Sequence, residues 1–401
     1  MVLDNVTQTS LLPDVWRKGQ ASRRLVYLAN IRSIFTIRWA NFFGSRGWDV
    51  HVITWRALGS AVAVGPNVHV WRIMSPPHYA FLWTALPEVL WRLRTLRPDI
   101  VHGHYLHTFG MIAGLCTYVY RDCPVAVSGW GPHGLLHCGQ PLRWLIRVAV
   151  SRADAVTVST THLRDILKSG YDVPSGNLHC FPWGIDVTVF YARSGEALQQ
   201  FCDVLGIPSG ASVIFSPRTA APHYRIDRIV RAVRRVYDNG YAVYLVVATG
   251  AGVDLNYLSI LRKLIRELCV QDAVLIIERE MTPEEMASLY SRAASTVCIP
   301  WDDQFGASVL EAMACGSVPI VSRVPAYQQY LRDGDNALFV NGDHTDDLAE
   351  AIARAVNDTE LQQRCATTNP TIIRGHEDFN YNALQMERLY MELIGARHRQ
   401  T

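Results

Sequence analysis

The sequence predicts an α/β protein of two doubly wound, Rossmann-like domains, and three stretches carry that prediction. Arg24 to Asn30 reads as an apolar strand running into a loop, followed by a helix to about Arg46, a stop at Gly47 and a strand over Val50–Thr54. The pattern restarts at Ser212-Val-Ile-Phe-Ser-Pro-Arg218, with a helix from about Ile226 to Asn239. A third unit, Val297 to Phe339, reads as strand, acidic loop, helix, strand and loop. Apolar strands without polar alternation, separated by segments of helical period, mark parallel sheets covered on both faces.

Composition agrees and removes other classes. The chain has 401 residues, 49% hydrophobic and 18% charged, which suits two domains with buried cores rather than disorder. A net charge of +2 and the lack of a stacking motif argue against a dedicated nucleic-acid binder. Nine scattered cysteines, an odd number without zinc-ligand spacing, fit reduced thiols in a cytosol. No apolar run reaches the roughly 18 residues of a membrane span. Met1 to Ser10 lacks the apolar centre of a signal peptide, so residues 1–22 are expected to be a lead-in. The dinucleotide fingerprint G-x-G-x-x-G is absent, which weighs against a dehydrogenase.

In the first half, Val68–Ile73 is a further strand, and Phe81–Thr95 has helical periodicity before the strand Ile100-Val-His102. His102 and His104, two apart on a strand, share one face; without a third ligand they make a poor metal site. His104 and Tyr105 lie at a strand's carboxyl end, so cleft lining competes with simple packing. Val125–Ser128 is the next strand, and the glycine-rich turn Gly129-Trp130-Gly-Pro-His133-Gly134 follows it, with His137 as a rival histidine. Trp91–Arg97 and Leu142–Arg147 interleave arginines with apolar and aromatic residues. That pattern suits either a face packed on the sheet or contact with anionic lipid.

In the second half, Ala242–Thr249 and Ala273–Ile277 read as strands around a helix over Leu255–Leu268. Thr282-Pro-Glu-Glu285 is a capping box opening another helix, and His344–Asn357 and Phe379–Ile394 are also helical. In the central unit a strand over Val297–Pro300 precedes the loop Trp301-Asp-Asp303-Gln304. Gly306 and Ala307 lead into a helix over about Ser308–Cys315, and Gly316 stops it before a strand at Val318–Val321. Helix amino-termini at the strand carboxyl ends of such sheets bind phosphate, and Gly306 lets an anion approach the amides. Ser308-x-x-Glu311 also reads as a capping box that needs no ligand.

Asp303 and Glu311, separated by seven residues and followed by Ala-Met-Ala-Cys-Gly316, resemble the nucleotide-sugar site of retaining glycosyltransferases of the GT-B fold, family 4. Pro98–Tyr105, Ala153–Ser159, Pro182–Asp186 and Arg38-Trp39 resemble its first-domain phrases, so the likeness runs from Val26 to about Ile394. The departures are Asp303 where most members carry glutamate, His223 at the usual second basic position, and a first loop lacking two glycines.

The resemblance implies a GT-B fold: two Rossmann-like domains facing a central cleft, residues 23–190 for the acceptor, 191–375 for the nucleotide-sugar, and 376–401 returning to the first. It implies that Glu311 holds the ribose diol and Asp303 faces the donor sugar. The Phe305, Gly306, Ala307 and Ser308 amides would lie near the diphosphate, which Arg218 and Arg225 neutralise. His133, Asp303 and Arg218 become the catalytic group, and His104, Tyr105 and Trp130 the acceptor side. A planar guanidinium suits phosphate because its fork binds two oxygens at once. The activity implied is retaining transfer from a UDP-sugar, or second GDP-mannose, to a glycan, glycolipid or small molecule, without cofactor, metal or nucleic acid. A cytoplasmic place is implied, with peripheral contact at the inner membrane face as an option. The rivals are a nucleotide-sugar epimerase or sugar-phosphate synthase on the same fold, and a non-catalytic nucleotide-binding subunit.

Overall fold

The computed structural model describes residues 22–55, 64–75, 82–130, 135, 138–250 and 252–399. The expected lead-in falls almost wholly outside these residues. The first sheet contains β1 (Arg24–Leu28), β2 (Asp49–Thr54), β3 (Val68–Arg72), β4 (Ile100–His104), β5 (Val125–Gly129), β6 (Ala155–Val158) and β7 (Leu178–Cys180). Its order is β3-β2-β1-β4-β5-β6-β7. The second contains β8 (Ser212–Ser216), β9 (Val243–Ala248), β10 (Val274–Ile277), β11 (Ala293–Cys298), β12 (Val318–Ser322) and β13 (Leu338–Val340), ordered β10-β9-β8-β11-β12-β13. Neighbouring strands are parallel in both sheets, and helices cover both faces.

Strand order reverses direction between β1 and β4 in the first sheet and between β8 and β11 in the second. In open parallel sheets the crevice for ligands lies at such a switch point, beyond the strands' carboxyl ends. Arg218 follows β8 and the acidic loop follows β11, so both arise at the second switch point.

Local sequence accounts for most elements. The helix Ile226–Asp238 buries Ile226, Ile229, Val230, Val233 and Val236 at helical spacing and turns its arginines outward. Thr282 and Glu285 form the capping box reciprocally, with Pro283 in the first turn. Two differences from the sequence reading stand out. β11 begins at Ala293, four residues earlier than expected, because the small buried side chains Ala293, Ser295 and Thr296 fit a central strand despite little apolar signal. The helix Thr359–His376 runs through Pro370, which periodicity alone does not anticipate. Beside that proline, Asn369 is held by Asn336 through bonds of 2.9 and 3.0 Å.

The chain crosses between the domains twice, and the crossings touch. Ile185 donates to Glu377 O at 2.8 Å, and Phe379 donates back to Ile185 O at 3.0 Å. Gly184 has φ +70°, and a Cβ there would lie 2.6 Å from both the Cα and the N of Phe379. The last helix, Phe379–His398, then packs Phe379, Met386, Tyr390 and Ile394 against Leu25, Tyr27 and Phe43 of the first domain. At the crossing Glu377 is buried and its Oε2 accepts the Gly184 N–H at 3.2 Å.

Two outcomes test this crossing. Gly184→Ala has no room for its methyl and no relaxed backbone, so we expect a loss of about 2–4 kcal/mol in denaturant titration. Burial pushes the Glu377 carboxyl from 4.5 up to about 8, against the Tyr330 and Gly184 hydrogen bonds. Below 4.5 the group is protonated in folded and unfolded chains alike; between 4.5 and about 8 only the unfolded chain ionises, so stability falls as pH rises, then levels off. Melting midpoints of Glu377→Gln should lose that slope, and an unchanged slope would place its origin elsewhere.

Candidate active site

Four elements of the second domain meet around one ion pair. Arg218, just past β8, places Nη2 3.0 Å from Asp303 Oδ2, with both side chains largely buried. Its Nη1 reaches Ser308 Oγ at 3.4 Å, and its guanidinium lies 4.5 Å from the centre of the Tyr224 ring. Asp303 is committed on both oxygens: Oδ2 also accepts the Tyr327 hydroxyl at 2.8 Å, and Oδ1 accepts the Gln304 N–H at 2.8 Å. Burial works against the Arg218 charge, but the Asp303 carboxylate together with the other groups around it raises its pKa. Burial and then the Asp303 charge hold the Tyr327 hydroxyl well above its usual range.

The helix Ala307–Ala314 begins at this pair. Gly306 occupies its cap position and offers no side-chain cap, and among the described residues no side chain bonds the first amides. The capping box that Ser308 and Glu311 could form is not made. Glu311 instead accepts the Tyr290 hydroxyl at 2.8 Å, and Ser308 faces Arg218. The amino-terminal N–H groups therefore lack a side-chain partner beside a guanidinium, an arrangement that favours an anion. A Cβ on Gly306 would stand 2.7 Å from Asp303 Oδ2 and collide with Arg218 Nη1. Enclosure raises the Glu311 pKa, opposed by the Tyr290 hydroxyl and by the charges of Arg38 and Arg218. Arg38 belongs to the first domain, where it bonds Gly184 O at 3.3 Å and lies over the Phe379 ring.

The structure brings together Arg218, Asp303, Phe305, Gly306, Ala307, Ser308 and Glu311, but not Arg225. Arg225 adopts left-handed backbone, φ +54°, at the start of the helix Ile226–Asp238. Its guanidinium lies 3.7 Å from Asp343 and 5.1 Å from the Trp301 ring, in a cavity of about 410 Å³ shared with Arg228, Tyr257 and Lys263. His223, at the family's second basic position, meets Asp302 O at 2.9 Å instead. The Asp303 carboxylate, one methylene shorter than glutamate, is turned onto Arg218, Tyr327 and its own loop. Tyr224, Tyr290 and Tyr327 support the site without any motif announcing them, since each acts from a different segment, whereas Arg38 lies in a phrase the resemblance already included.

On the acceptor side, Trp130 packs against His104 at 3.8 Å and Tyr105 at 5.6 Å between ring centres. His104 is fully buried, contrary to the cleft-lining role, and among the described residues neither ring nitrogen has a partner. Burial holds its pKa well below the ordinary value, so it is neutral and no proton donor. His102, pushed down to about 3 by burial, bonds Tyr390 through Nδ1 and Ser128 Oγ through Nε2 at 2.6 Å. The pair is thus packing and a buried polar chain. Tyr105 keeps partial exposure and takes positive φ, +62°. His133 and its rival His137 lie outside the described residues. Among the described residues, no group of three or more metal-ligating side chains is placed to hold an ion.

Two parallel-sheet domains with an anion-ready helix terminus and a buried arginine at the switch point define a GT-B glycosyltransferase. The chain is a glycosyltransferase, and two family profiles match its two halves. A family profile described as glycosyl transferases group 1 matches residues 199–371, and one described as glycosyl transferase 4-like matches residues 24–161. Among curated relatives, the D-inositol 3-phosphate glycosyltransferase of Corynebacterium jeikeium is 28% identical, covering 95% of this chain and 94% of its own. The N-acetyl-alpha-D-glucosaminyl L-malate synthase of Bacillus anthracis is 24% identical, covering 87% and 90%. Of solved structures, sucrose-phosphate synthase from Thermosynechococcus elongatus superposes with TM-score 0.78 at 17% identity, covering 93% of this chain and all of that one. HepE of Anabaena with UDP and glucose gives TM-score 0.75 at 14% identity, covering 92% and 100%.

Because the Gly306 methyl position is occupied by the ion pair, Gly306→Ala is expected to displace Arg218. Nucleotide affinity should fall at least about tenfold, roughly 1.4 kcal/mol. The Arg218 side chain can yield, so the melting midpoint should move little. An affinity equal to wild type would show that Arg218 is not a phosphate ligand.

Proposed function

We propose that the protein transfers a sugar, with retained anomeric configuration, from a nucleoside diphosphate to a hydroxyl held by the first domain. One observation carries this reading: Arg218, the uncapped helix start at Gly306 and Glu311 converge at the second switch point. Glu311 accepts hydrogen bonds from the ribose diol, and the diphosphate lies across the helix amides. Arg218 exchanges part of its contact with Asp303 for phosphate oxygens. Negative charge developing on the β-phosphate as the sugar departs meets that guanidinium and the helix terminus, without an ion. Attack on the face the phosphate leaves accounts for retention, and no protein nucleophile is assigned.

UDP is the first base to test, in keeping with the UDP complexes of HepE, and GDP-mannose the second donor. The relatives' names point to inositol 3-phosphate and malate, both hydroxylated anions, so a small anionic polyol or hydroxy acid is the acceptor to try first. Contact with a membrane surface is a separate part of the proposal. Trp83, Trp91 and Trp144 are 87%, 58% and 59% exposed on helices that also carry Arg94, Arg143 and Arg147. Among the described residues, no helix is long and apolar enough to cross a membrane.

Calorimetric titration of UDP, GDP and ADP into wild type and Glu311→Ala tests the donor site. One nucleotide should bind, and the variant should lose it. Because Glu311 takes up a proton at higher pH than an ordinary carboxyl, wild-type affinity should weaken on acidification before free glutamate would titrate. A variant that binds as well as wild type would sink this reading.

A further inference from the structure

The second domain reaches the first at the amino-terminal end of the helix Thr161–Gly170, and it does so with two glutamines. Gln329 Oε1 accepts the Thr161 N–H at 2.9 Å and the Thr161 hydroxyl at 3.2 Å. Gln304 Oε1 accepts the hydroxyls of Ser159 and Thr160, each at 3.2 Å. Thr160 is also that helix's cap, its Oγ1 accepting the Leu163 N–H at 3.2 Å. Giving its own proton to a carbonyl oxygen uses its donor, and in this arrangement the oxygen end of the Gln304 amide faces the first domain.

The other end of that amide is unused. Gln304 Nε2 is buried and has no acceptor among the described residues. Gln304 is also the neighbour of Asp303, to which its own N–H donates at 2.8 Å, and Phe305 beyond it holds left-handed backbone, φ +45°. The loop carrying the ion pair is therefore anchored across the domain gap by one side chain. A buried amide NH2 without an acceptor is unfavourable, and such groups call for a ligand or solvent atom to complete them.

We propose that Gln304 binds the transferring sugar and couples that contact to domain closure: Ser159 and Thr160 hold its carbonyl while Nε2 donates to a sugar hydroxyl. This rests on the donor-site reading above and adds to it a residue that the acidic motif does not include. With the domains apart, the carbonyl loses its two hydroxyl partners and the amide its fixed direction. The donor sugar would then be oriented only when the acceptor domain is in place, which limits loss of the sugar to water.

Gln304→Glu, in its ionised form, separates the two jobs, because it keeps an oxygen for Ser159 and Thr160 but cannot donate. UDP and UDP-glucose, and in parallel GDP and GDP-mannose, would be titrated into wild type, Gln304→Glu, Gln304→Ala and Ser159→Ala, with turnover of the bound sugar nucleotide measured alongside. We expect every variant to bind the bare nucleotide within about twofold of wild type. The extra affinity conferred by the sugar should vanish in both Gln304 variants, turnover should fall about 10- to 100-fold, and Ser159→Ala should show a smaller loss of the same kind. A Gln304→Glu protein with wild-type sugar preference and turnover would overturn the assignment, as would equal weakening of nucleotide and sugar nucleotide. A wild type that binds neither nucleotide pair would overturn the donor site itself and this assignment with it.

Discussion

The buried pairing of Arg218 with Asp303 is the constraint around which the second domain is arranged. A guanidinium taken out of water is tolerated only with a carboxylate against it and with its remaining surface covered. Tyr224 supplies the covering ring, Tyr327 the second bond to the carboxylate, and Gly306 the space in which the two charges meet. These contacts come from β8, the loop after β11 and the turn Pro325–Gln329, so the pair ties together three segments of one crevice. Among the described residues, Arg218 Nε has no hydrogen-bond partner and the helix starting after Gly306 has no side-chain cap.

The second dependency is between domains. The paired crossings at Gly184–Ile185 and Glu377–Phe379 bring chain entering and leaving the second domain into one short parallel contact. At this contact Arg38 bonds Gly184 O, and its charge acts on Glu311. The two sides of the cleft thus share electrostatics before any ligand enters. Gln304 and Gln329 add direct bonds at the far side of the same gap.

Histidines mark where residue type misleads. His102 and His104 sit at a strand's carboxyl end on one face, a placement that suggests chemistry. Their rings are enclosed by Tyr27, Trp130 and Tyr390, and burial keeps both neutral. The spacing placed them on one face correctly, whereas the packing of the last helix, about 285 residues away in the chain, decided what that face meets.

Strand and helix placement was legible because continuous apolar strands and helical periodicity are local properties, and they located β1, β8, β12 and the helix Ile226–Asp238 closely. The acidic motif was legible for a related reason: Asp303, Gly306 and Glu311 lie within nine residues, so one loop and one helix bring them together. What sequence could not decide was the direction of each side chain. Whether Ser308 and Glu311 cap their own helix, whether Arg225 joins Arg218, and where Asp303 points are choices between near-equal local hydrogen bonds. Tyr290, Tyr327, Trp301 and Asp343 settle them from distant segments. Periodicity is written along the chain, but the partner of a charged group is chosen by whatever folding brings within about 3 Å of it.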